Sequence, residues 1–121
     1  MSTIDSIKSG HILADKLATQ FSGEDDRRAA RSLLAPVLEG HEGERVALGC
    51  LKLADGDLTR LGRCVKGALE DYRDILAWAE SPRQMRQGAN APAAEQARAR
   101  WEDAEEYARW ISSCSRGGVV T

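Results

Sequence analysis

From Leu58 to Glu80 the apolar residues Leu58, Leu61, Val65, Ala68, Tyr72, Ile75 and Ala79 recur at alternating steps of three and four. That spacing places them on one face of an α-helix, because 3.6 residues complete a turn. Leu69 and Leu76 widen the stripe, while Arg60, Arg63, Lys66, Glu70, Asp71 and Asp74 fall off it. A long amphipathic helix of this kind has one surface that must be covered. The remainder of the chain is therefore expected to supply other helices to pack against it.

Composition agrees. Ala and Leu dominate the apolar set, with 18 and 12 occurrences, and β-branched and aromatic residues are few. Local preference thus favours helix over strand. A first helical segment is expected from Thr3 to Phe21, with Gly10 as a weak point where it divides, since a mid-helix glycine costs roughly 1 kcal/mol. A second begins at the acidic residues Glu24, Asp25 and Asp26, where the helix dipole favours negative charge, and kinks at Pro36 or ends at Ala35. The third, Glu44 to Ala54, is apolar nearly all round and is expected to be the buried central element. Asp55-Gly56-Asp57 supplies a glycine stop and an aspartate cap before the fourth helix, which Ser81-Pro82 terminates. Arg83 to Pro92 reads as a loose connection. A fifth helix, Ala93 to Ser112, carries the stripe Ala94, Ala97, Trp101, Ala104, Ala108 and Ile111, expected to face the core. The fold class predicted is all-α, a four- to five-helix bundle with a long central helical hairpin, forming one domain over residues 1–112 with a frayed tail at 113–121.

The chain has 121 residues, 30% of them charged, with a net charge of −2. Near-balanced charge argues against strong general affinity for nucleic acid or acidic membranes. No apolar run approaches the ~18 residues of a membrane span, and Met1 to Asp5 does not begin a secretory signal. A cytoplasmic protein is expected. Cys50, Cys64 and Cys114 are odd in number and widely spaced, as are His11 and His41. They form neither a disulfide framework nor a zinc motif, so reduced structural cysteines, no metal and no cofactor are expected.

Few residues suggest chemistry. His11 lies on the apolar face of the first segment. His41, between Glu39 and Glu42 in a glycine-rich loop, is better placed to touch a ligand, because binding residues favour loops. That loop lacks the second histidine at helical spacing of a zinc protease. The clusters Glu70, Asp71, Asp74 and Glu102, Asp103, Glu105, Glu106 read as solvated faces. No catalytic constellation is legible, and the protein is not expected to be an enzyme. Arg60, Arg63 and Lys66, after a glycine turn, give a faint helix-turn-helix pattern. Charge is not concentrated there, however: it is −1 over residues 1–40, −2 over 41–80 and +1 over 81–121, whereas DNA readers gather positive charge.

The aromatic residues suggest more. Trp78 and Trp110 project roughly 120° and 140° from their helices' apolar stripes, with Tyr107 beside Trp110. Such residues either widen a buried face or form a contact surface. Trp78, Tyr107 and Trp110 are the candidate partner surface, and Glu39, His41 and Glu42 the candidate ligand loop. The function expected is a small helical interaction protein, self-associating as a homodimer or binding another protein. A small-ligand binder is the first alternative and a weak nucleic-acid binder through Arg60, Arg63 and Lys66 the second.

Arg45-Val46-Ala47-Leu48, then Lys52-Leu53-Ala54-Asp55-Gly56-Asp57, then Asp71-Tyr72-Arg73-Asp74-Ile75-Leu76-Ala77-Trp78-Ala79-Glu80 resemble a segment of small uncharacterised bacterial all-α proteins. The resemblance covers about a third of the chain. It implies a bacterial, cytoplasmic, helical protein and carries no activity and no site residue.

Overall fold

The computed structural model describes residues 12–113, and all regular structure within them is helical. The first helix, α1, covers residues 12–20. It is followed by α2 (Glu24–Leu38), α3 (Gly43–Ala54), α4 (Leu58–Glu70), α5 (Tyr72–Glu80), α6 (Pro82–Gln87) and α7 (Ala93–Ser112). His11, Cys114, Gly10 and the expected helix start near Thr3 lie outside the described residues.

The central helix behaves as its composition dictates. Val46, Ala47, Cys50, Leu51 and Ala54 of α3 are buried, against Leu34 of α2, Leu61 and Val65 of α4 and Leu76 of α5. Gln20 of α1 ties its end down: its side-chain amide donates to the Leu51 carbonyl at 3.0 Å and accepts from Gly56 N–H at 3.1 Å. At the other end, the entry into α3 turns on Gly43. A Cβ there would overlap the Leu38 backbone, 2.7 Å from its carbonyl carbon and 2.8 Å from its Cα. Only a residue without a side chain lets α2 and α3 meet at this corner.

Four elements differ from expectation. α2 runs through Pro36 to Leu38, so the end at Ala35, one of the two outcomes expected there, does not occur. The amide that proline lacks would have bonded the carbonyl of exposed Ser32, which water can serve instead. The long fourth helix is divided at Asp71, whose backbone is extended (φ −158°, ψ 94°) and whose carboxylate accepts from Arg73 N–H at 3.1 Å. Asp71 caps a new helix, so two helices, α4 and α5, stand where a single long one was expected. α5 then packs closely on α3, where a Cβ on Gly49 would lie 3.3 Å from the Ala79 Cβ. Arg45 also grips Glu80 there, with bonds of 2.7 and 2.8 Å.

The supposed loose connection contains α6, and its cause lies in α7. The Asp103 carboxylate accepts from the backbone amides of Arg83 at 3.1 Å and Gln84 at 3.2 Å, both in the first turn of α6. It also accepts from their side chains, at 3.0 and 3.1 Å. An aspartate from a distant helix thus does the work of an N-cap. This corrects the reading of the Glu102–Glu106 cluster as a solvated face: Asp103 is 1% exposed. Glu106 is half-buried between Lys52 and Arg83, at 2.8 Å from each.

The fourth difference is the rotation of α7. Its buried residues are Ala99 and Asp103, with Gln96, Glu106, Tyr107 and Trp110 half-buried beside them. Ala94, Ala97, Trp101, Ala104 and Ala108, expected to face the core, are exposed. At about 100° per residue, that stripe lies on the opposite side of the helix from Ala99 and Asp103. The polar side turns inward because its carboxylates find Arg83, Gln84 and Lys52 there; an unpaired buried carboxylate would be costly.

Candidate functional site

The outward stripe of α7 is the most unusual surface among the described residues. Trp101 stands at its centre with 62% of its area exposed, the largest exposure of any large apolar side chain described. Alanines lie one turn either side, at Ala97 and Ala104, and again at Ala94 and Ala108. Steps of three, four, three and four link these five positions, the seam by which two helices interlock side chains. Arg98 and Glu105 flank one edge and Arg100 the other.

Beside the stripe runs an open groove of about 510 Å³. Arg100, Ala104, Tyr107 and Ala108 of α7 form one wall, and Glu80, Ser81 and Gln84 form the other. Burial, with the nearby Glu80 carboxylate adding to it, pushes the Tyr107 phenol up to about 12. Tyr107 is therefore neutral over the physiological range and offers the groove an apolar ring with a hydroxyl tip.

The expected aromatic surface is distributed differently. Trp110 is half-buried and packs against the core. The Lys16 ammonium sits 4.1 Å from the centre of its ring and donates to the Trp110 carbonyl. Tyr107 meets Trp110 at 5.7 Å between ring centres and lines the groove. Trp78, on α5, is 39% exposed. Trp110 thus widens the buried face, one of the two readings its angle left open, because the stripe itself faces out. Trp101, missed as a surface residue, carried the same periodic signal as a core residue; nothing local distinguishes the two.

The candidate ligand loop is open. Glu39, His41 and Glu42 are exposed or half-exposed; His41 lies 3.8 Å from Glu42 and stacks at a tilt on Tyr72, 5.6 Å between ring centres. Glu42 adopts a left-handed conformation (φ 52°) before α3 and pairs with Arg45 at 2.9 Å. The adjoining cleft, lined by Pro36, Val37, His41 and Leu69, holds about 180 Å³. That is below the ~300–1,000 Å³ of small-molecule sites, whereas a more open cleft lined by Glu42, Arg45, Tyr72 and Glu80 holds about 360 Å³. Arg60, Arg63 and Lys66 are exposed along α4, which ends four residues later at Glu70. Among the described residues, no three His, Cys, Asp or Glu side chains are grouped to hold a metal ion. Nor is any helix there long and apolar enough to cross a membrane.

Burial raises the thiols of both described cysteines, that of Cys50 to about 12, which disfavours their thiolate forms. Comparison with protein-family models, curated proteins and solved structures finds no match. The resemblance of the Arg45–Glu80 segment gains no support from it.

Proposed function

We propose that this protein works by binding protein through an exposed helical face, without catalysing a reaction, in a soluble cytoplasmic setting. The observation that carries the reading is the exposed stripe of α7. A large indole left 62% exposed, with alanines at seam spacing, presents apolar surface that a protein partner would cover. Trp and Tyr are enriched where protein surfaces meet. Tyr107 in the adjoining groove retains a place in the partner surface first expected of Trp78, Tyr107 and Trp110, while Trp110 serves the core.

The test is a photo-crosslinking residue substituted for Trp101 in the full chain, expressed in its own cells, with the same residue at exposed Asp26 as control. A discrete protein adduct at position 101 and none at position 26 is expected. Equal, diffuse labelling at both positions would refute the reading.

The groove supports the second reading, a small-ligand protein, because its volume falls in the range of ligand sites. That reading moves the ligand from the Glu39–Glu42 loop to the space between Tyr107 and Gln84. It predicts extra bound mass in native mass spectrometry of the freshly purified chain, lost in Ala104→Trp, which fills the groove.

A further inference from the structure

We propose that the partner on the α7 face is a second copy of this chain, whose own α7 lies antiparallel across it. The inference rests on the interaction reading above and names its occupant. Three features of the face converge on it.

The first is size complementarity. When two copies of α7 are laid antiparallel with Trp101 level with the partner's Ala104, the two-fold axis makes Ala104 level with the partner's Trp101. Ala97 then meets the partner's Ala108, and Ala94 lies level with the partner's Ile111, which packs partly against its own core. Each large residue faces a small one in every layer that contains one. A parallel pair would stack Trp101 and Ile111 each on its own copy and leave alanine on alanine in the other four layers, a seam of uneven width.

The second is charge. The antiparallel register brings Arg98, on one edge of the seam, beside the partner's Glu105, and Glu105 beside the partner's Arg98. In antiparallel helix pairs such flanking positions set partner and orientation. Both contacts are opposite in sign, and symmetry supplies them twice. Glu105 has only an exposed pairing with Arg109, at 3.4 Å, to give up, and exposed pairs contribute little.

The third is the groove. Ala104, Tyr107 and Ala108 line it on the α7 side, so it opens where the partner's Trp101 arrives. An indole covers about 150–250 Å² when buried, and two indoles anchor the symmetric contact. From Ala94 to Ile111 the seam is about 26 Å long at 1.5 Å per residue. That is a small footprint among specific interfaces, so the dimer is one that dissociates on dilution.

The experiment is sedimentation equilibrium of the full chain over a dilution series, with variants at exposed positions checked for unchanged helicity by circular dichroism. The wild type should shift from the 13.2 kDa monomer to twice that mass as concentration rises. Ala104→Glu, Arg98→Glu and Glu105→Arg should each weaken the dimer by about tenfold or more, since each sets a charge in the seam or like charges across it. Mixing Arg98→Glu with Glu105→Arg should restore it, because in that mixed pair both flanking contacts become opposite in sign. The parallel arrangement does not predict that rescue, so weakening without rescue would overturn the antiparallel register. A dimer indifferent to Ala104→Glu and Arg98→Glu would overturn this face while leaving self-association standing. A chain that stays monomeric at every concentration would overturn the second-copy inference. A crosslink from position 101 to a different protein would then keep the interaction reading.

Discussion

Replacing Asp103 with Ala tests the most unexpected feature of the interior, a buried carboxylate holding the start of a helix in another part of the chain. The wild-type carboxylate makes four hydrogen bonds, two of them to backbone amides of α6. Loss of an N-cap costs about 1 kcal/mol, within a range of roughly 0.5–2. A hydrogen bond to a charged group contributes about 1.5–3 kcal/mol, and the Gln84 side-chain bond is one lost outright. The variant should be about 3 kcal/mol less stable at pH 7, a fall of roughly 10–15 °C in Tm for a domain of this size. Burial pushes the Asp103 carboxyl up, yet the bonds from Arg83 and Gln84 outweigh it and hold the group below its ordinary value. A depressed carboxylate stabilises the fold fully above its unfolded value of about 3.9, and the contribution is lost as pH falls through the folded value. The difference between wild type and Asp103→Ala, measured by urea unfolding, should therefore be full at pH 7 and shrink below about pH 3.9. A difference under about 0.5 kcal/mol at pH 7, the scatter of neutral surface changes, would refute the account of α6 as capped by α7.

Other outcomes follow from particular residues. Gly43→Ala should destabilise by more than about 1 kcal/mol in chemical denaturation, because its Cβ would collide with the Leu38 backbone. Gly62→Ala, where the nearest atom is 4.0 Å away, should be neutral or stabilise by up to about 1 kcal/mol; the same sign at both positions would contradict the packing at the α2–α3 corner. Cys50, fully buried with its thiol raised to about 12, should resist iodoacetamide at pH 8 in the native protein and react in denaturant, as read by peptide mass spectrometry. Native modification of Cys50 at the rate of a free thiol would show that the α3 core opens readily.

Much of the chain could be read before any coordinates. α3 is buried because from Val46 to Leu51 it has no polar side chain to offer water, and that is a property of composition. The turn at Asp55 and Gly56 and the Asp57 cap, which accepts from Arg60 N–H at 3.1 Å, follow from local backbone chemistry. The bounds of α7, Ala93–Ser112, coincide with those expected, since Pro92 and the helix-favouring run after it are local signals.

What failed to be legible depends on partners distant in sequence. Asp71 could continue a helix or cap a new one, and only the packing of α5 on α3, with Ala79 against Gly49, selects the second. α6 is too short to persist alone and owes its first turn to a carboxylate twenty residues away. The rotation of α7 turns on the same contacts. Periodicity identified its apolar stripe correctly but could not say which side would face inward. That choice fell to Asp103 and Glu106, whose partners Arg83, Gln84 and Lys52 come from α6 and α3. The sequence by itself determined most of the helical segments, α6 excepted, because propensity and capping act over a few residues. The tertiary structure alone decided which face of α7 meets water, because the cost of burying a carboxylate depends on whether a donor is there to receive it.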